Sequence, residues 1–158
     1  MNLDSWAAVA TIVQAVFLPI SLFLVWSQLR QQSRLTKAAN TQALVELSSP
    51  FNLQLIQDRN FAQFWVQGAS LFEGMDEVER YRFRSLLIWW LIFHENIFYQ
   101  RQKRLIDEPT YSSWNEDLKN FVDRMNLAEH WPGLRGSFQK GFAEHVGKLV
   151  DSSRRVEH

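Results

Sequence analysis

Apolar and polar positions divide this chain into two regimes. Between Asp4 and Arg30 there is no charged residue, and Trp6 to Trp26, WAAVATIVQAVFLPISLFLVW, is almost wholly apolar. As a helix those residues extend roughly 31 Å, about the thickness of a bilayer's hydrocarbon core, with Trp at each end where interfacial aromatics sit. The pattern predicts one transmembrane helix over residues 6–28. A cleaved signal peptide wants a basic start and a small-residue exit, whereas this chain begins MNLDS and the run closes on Leu-Val-Trp. A helix lying in the interface would need a charged face, which the stretch lacks.

Polar positions inside the span are ordered. Ala7, Gln14, Ser21 and Gln28 recur every seven residues, with Thr11 between the first pair. Small residues allow close helix approach and Gln bonds across helices, so this stripe predicts a helix–helix contact face and a homo-oligomer. Lining a pore is the other use such a stripe has. Pro19 is expected to bend the helix modestly. Arg30, Arg34 and Lys37 follow the span, while only Asp4 and the α-amino group precede it. The positive-inside rule then puts residues 1–5 outside and the rest in the cytoplasm, the arrangement of a bacterial inner-membrane protein. The absence of Cys agrees with a reducing compartment.

Beyond the span the period changes to that of amphipathic helices. No breaker occurs from Leu29 to Leu47, so residues 29–48 read as a helical stalk that Pro50 stops, with Ser49 capping a fresh helix. That helix runs to about Asp58, and Asn60 is placed to cap the next, FAQFWVQGASLF, which ends near Gly74. Asp76 with Glu79 reads as a capping box for a helix reaching Leu105. Its Leu86 to Phe93 run of eight apolar residues covers every face, which predicts a central post buried all round. Glu108-Pro109 opens a helix to about Met125, with Tyr111, Trp114, Leu118, Phe121 and Val122 on its apolar face. His130-Trp131-Pro132-Gly133 is expected to break the chain before a last helix from Phe142 to Ser152. Residues 49–152 thus form a cytosolic helical bundle, and residues 153–158 a frayed tail.

Composition supports an all-α domain. Seven Trp and twelve Phe stand against six Gly and four Pro, and β-branched residues do not alternate. Seventeen basic and seventeen acidic residues give a balanced surface, which argues against a nucleic-acid polymer as partner. The expected partners are the lipid bilayer, further copies of the chain and a cytosolic protein.

The segments ENIFYQRQKRLIDEPTYSSW, HWPGLRGSF and FAEHV carry a resemblance through Phe98-Tyr99, Leu105-Ile106-Asp107, Trp114 and Pro132-Gly133. They resemble an uncharacterised family of small single-span bacterial membrane proteins with a cytosolic helical domain. The resemblance implies an architecture; it implies no catalytic residue.

His94-Glu95-Asn96 follows the apolar run, so these groups need partners, and Glu144 and His145 are candidates to join them in a ligand or metal cluster. Neither H-E-x-x-H nor Glu-x-x-His is present, since position 98 is Phe. A buried polar network that fixes helix register, with Glu95 paired to an Arg, is the preferred reading, and neither a metal nor a cofactor is expected. Arg80, Arg84 and Arg101 are the candidates for holding an anionic ligand, with ion pairs on a solvated face as their alternative. The chain has no Cys, no G-x-S-x-G and no phosphate-binding glycine loop, so no enzyme is expected. The sequence therefore points to a non-catalytic membrane-anchored interaction or scaffold protein. The alternatives are a ligand-gated membrane effector, and an enzyme built around His94 and Glu95.

Overall fold

Helix formers after Leu29 carry the first helix further than Pro50 was expected to allow. In the computed structural model, which describes the backbone of residues 3–156 and the side chains of residues 15 and 17–155, α1 runs without a break from Leu3 to Gln57. The chain divides into two units, Met1–Ala39 and Asn40–His158.

The first unit is α1 up to Ala39. Phe17, Leu18, Ile20 and every large apolar residue from Leu22 to Trp26 are more than half exposed, as are Leu29 and Leu35. Among the described residues no helix is long and apolar enough to cross a membrane. Much of the stretch expected to span, residues 6–14 and 16, lies outside the described side chains, as do Ala7, Thr11 and Gln14 of the polar stripe. Ser21 and Gln28 are described and exposed.

The second unit is an all-α bundle of the rest of α1 with α2 (Arg59–Leu71), α3 (Glu77–Gln102), α4 (Glu108–Arg124), α5 (Leu127–Leu134) and α6 (Lys140–Val156). Among the described side chains of α1, Leu44, Ser48 and Phe51 are the buried ones, at helical spacing. The expected stop at Ser48 is corrected here. Proline inside a helix costs about 3 kcal/mol. Phe51 offsets that by packing its ring 5.1–5.7 Å from the rings of Phe61, Trp65, Trp89 and Trp90, contacts worth about 0.5–1.5 kcal/mol each beyond the area they bury. Continuing the helix through Pro50 is what puts Phe51 there.

Caps set the next boundaries. Asp58, rather than Asn60, caps α2, its carboxylate accepting from Asn60 N and Phe61 N. The α2 helix tightens into a 3-10 turn at Phe72–Gly74. The Asp76/Glu79 capping box is present, and Asp107 caps α4 through Thr110 N. The α3 helix stops at Gln102, short of Leu105, because Arg104 turns left-handed (φ 57°) and Leu105 N returns to Gln100 O. Nor is α3 buried all round: Phe83, Leu87 and Leu91 are fully enclosed, but Ile92 is 52% exposed and Trp89 39%. Bulky residues on every face do not bury a helix that has neighbours on only some of its sides.

Two further expectations fail at the C-terminal end. His130 to Gly133 does not break the chain but lies within α5, Pro132 included. Pro132 deprives the Ala128 carbonyl of its helical donor, and Arg154 Nη2 donates to that carbonyl instead, at 2.9 Å. For the same reason the predicted frayed tail is helical through Val156. A main core of aromatic and aliphatic residues, centred on Phe83, Phe121 and Phe142, joins α2 to α6. A smaller cluster of Leu44, Phe93, Ile97 and Ile106 ties α1 to the α3–α4 corner, where Asn40 Nδ2 also donates to Leu105 O.

Candidate functional site

The helical period of α3 places His94 on the same buried face as Trp90, Leu91 and Ile97, so an imidazole sits 3% exposed among rings. Trp90 and Phe93 lie 5.4 Å from it and Trp114 6.3 Å. Its Nε2 is 3.2 Å from Asp117 Oδ2 on α4, without the alignment of a full hydrogen bond. Burial pushes the His94 pKa below its usual value, and Asp117 pulls the other way less strongly. The ring is therefore neutral in the folded protein at neutral pH.

A second imidazole lies close by. His145 on α6 brings Nε2 to 2.7 Å from Asn115 Oδ1 on α4 and stacks on Phe98 at 5.2 Å. Tyr111 Oη approaches the same oxygen at 3.4 Å. Burial, then Lys148, Arg101 and Lys119, lower the His145 pKa, while burial is the main reason that Tyr111 is raised. Between these groups and Phe142 lies a void of about 10 Å³, room for no more than one water. A site of that size orders helices; it does not admit a substrate.

The structure separates the remaining members of the candidate cluster. Glu95, expected to pair with an Arg, turns instead to α6, its Oε1 accepting from Gln139 N at 2.8 Å just ahead of the helix start. A carboxylate there satisfies an otherwise orphaned donor and complements the helix dipole. Glu144 points to Lys140, 4.0 Å away. Among the described residues no group of three His, Cys, Asp or Glu is disposed to hold a metal ion. His130 lies 4.6 Å from the Phe72 ring with its Nε2 buried and unpartnered, and burial is the main cause of its lowered pKa.

The arginines each have work within the fold. Arg80 Nε donates to Met75 O at 2.8 Å, and Arg84 lies so close over Gly133 that a Cβ there would be 3.0 Å from its guanidinium. Arg101 holds Glu108 with two bonds of 3.1 Å and lies 4.6 Å over the Tyr111 ring. Arg101 is at the far end of α3 from Arg80 and Arg84, on the order of 25 Å away along the axis, so the three do not converge on one ligand.

Sequence reading missed Asp117 and Asn115. The signal for Asp117 was available: it lies three residues after Trp114 and four before Phe121, an acid bordering the apolar face of α4. Asn115 left no such mark. No family model, curated protein or solved structure matches this chain.

Proposed function

We propose that this chain is a membrane-anchored helical interaction protein, held in the bacterial inner membrane by residues 6–28 with its bundle on the cytoplasmic side, and self-associating through α1. The observation that carries the reading is the exposure of Phe17, Leu18, Ile20 and Leu22 to Trp26, all between 51% and 71%. Five consecutive residues cover a full helical circuit, so no face of this stretch is polar enough for water. Withdrawing these eight half-exposed side chains from water is worth on the order of 10 kcal/mol.

That magnitude discriminates between occupants. A single soluble partner helix covers one face and leaves the others wet, whereas lipid covers all of them. The end of the run fits an interface, since the Arg30 guanidinium lies 5.1 Å over the Trp26 ring, a cation anchored to an aromatic at the water boundary. Basic Arg34 and Lys37 follow on the same side. The sequence of residues 6–14 continues the apolar character toward the N-terminus. A scaffold role accords with the centre of the bundle, where His94 is enclosed by packing beside a half-exposed Asp117 and the adjoining void is the size of a water.

Self-association rests on the seven-residue stripe ending in Ser21 and Gln28. Native mass spectrometry of the full chain from mild detergent tests it. Oligomers that dissociate on Gln14→Leu with Ser21→Leu are expected; a strict monomer at every detergent ratio would remove this part of the reading.

A further inference from the structure

We propose that the groove between α5 and α6 is a binding site for a small molecule bearing a carboxylate or phosphate group. It stands apart from the groups discussed above and does not depend on the membrane reading. The two helices face each other there through Ala128, Ala143 and Gly147, and these short side chains leave a groove of about 250 Å³. Three donor-bearing residues from three different elements line it: Arg135 on the 3-10 turn after α5, Arg154 on α6, and Trp131 on α5.

Each donor is available. Arg135 makes no ion pair with any described carboxylate, and the Trp131 Nε1 has no hydrogen-bond partner in the described protein although it faces Gly147, where an added Cβ would lie 3.8 Å from it. Arg154 spends one N–H on the Ala128 carbonyl that Pro132 leaves without its helical donor. That bond fixes the fork at the groove, and its other N–H groups have no acceptor among the described residues. A guanidinium already held in place loses less freedom when it binds, and planar N–H pairs match carboxylate and phosphate oxygens. Among the described residues that line the groove, Asp151 is the one acid beside two arginines, a net positive lining. The proline in α5 thus has a use beyond being tolerated, because it creates the acceptor that orients Arg154.

Isothermal titration of the full chain in uncharged detergent tests the assignment, with pyrophosphate and citrate as separate probes for the two oxyanion classes. The variants are Arg135→Ala, which leaves the Arg154–Ala128 hydrogen bond intact, and Gly147→Leu, which fills the groove and keeps both charges. Saturable, salt-sensitive heat with at least one probe is expected, weakened about tenfold or more by Arg135→Ala and abolished by Gly147→Leu. Thermal melts of both variants close to wild type establish that they are folded. No saturable heat with either probe, or equal affinity in the wild type and Gly147→Leu, would overturn the assignment.

Discussion

Gly68→Ala is the substitution whose cost can be worked most directly from the structure. Gly68 is where α2 crosses α3, and a Cβ built on it would lie 2.1, 2.4 and 2.9 Å from three atoms of the Phe83 ring. Ordinary contact begins near 3.4 Å, so at least one partner must move by more than 1 Å. Phe83 has little room to do so, being 0% exposed and flanked by the rings of Phe64, Trp65, Phe72 and His130 at 6.0–6.2 Å. Overpacking of this kind costs about 1–3 kcal/mol, and the overlap places it at the upper end. Alanine's helix propensity returns about 1 kcal/mol, leaving a net loss of about 2 kcal/mol. Urea unfolding of the full chain in detergent, followed by Trp fluorescence, measures it. Phe83→Leu removes the ring atoms that clash, so the double variant is expected to lose at least about 1 kcal/mol less than the sum of the singles. A Gly68→Ala protein as stable as wild type, or strictly additive losses, would refute the close crossing.

Three more outcomes follow from local chemistry. Because burial depresses the His94 pKa, its contribution to stability is complete above the unfolded value of about 6.5 and is lost as pH falls below it, at no more than about 1.4 kcal/mol per pH unit. His130 and His145 shift in the same direction, and His94→Asn is expected to flatten the acid limb of a stability–pH curve measured by urea titration. Arg104 adopts φ 57° at the end of α3, so Arg104→Gly is expected to stabilise the protein by about 1 kcal/mol in the same unfolding assay. Glu95→Ala should cost about 1 kcal/mol by uncovering the Gln139 N–H at the start of α6, and Glu95→Gln less, with hydrogen exchange speeding up first in that turn.

The existence of α2, α3, α4 and α6 was legible because period and caps agree, as at Asp76, Glu79 and Pro109, whereas α5 was not foreseen. What the sequence hid was tertiary compensation. Pro50 and Pro132 both read as breaks, yet each lies in a helix because a distant residue changes the balance: the rings around Phe51 in one case, the Arg154 guanidinium in the other. The exposed side of α3 was hidden for a related reason, since Trp89 and Ile92 look like core residues until the number of neighbouring helices is known. At the candidate site, the burial of His94 could be read from the apolar run before it. The place of Asp117 at the border of the α4 apolar face was readable too, but its pairing with His94, like that of Glu95 with Gln139, depends on how α3, α4 and α6 pack. The alternative of an acid–imidazole cluster joining Glu95 and Glu144 dissolves for that reason.

The proposal that residues 6–28 hold the chain in a membrane, with residues from Arg30 onward inside, is open to one direct measurement. The native chain contains no Cys, so Asn2→Cys and Glu73→Cys each introduce a unique thiol. Labelling with a membrane-impermeant maleimide is compared in intact spheroplasts and after lysis, with the chain recovered from the carbonate-washed membrane fraction. The account predicts that Cys at position 2 reacts in intact spheroplasts, whereas Cys at position 73 reacts only after lysis. Recovery of the chain in the soluble fraction, with both thiols reacting only after lysis, would contradict it.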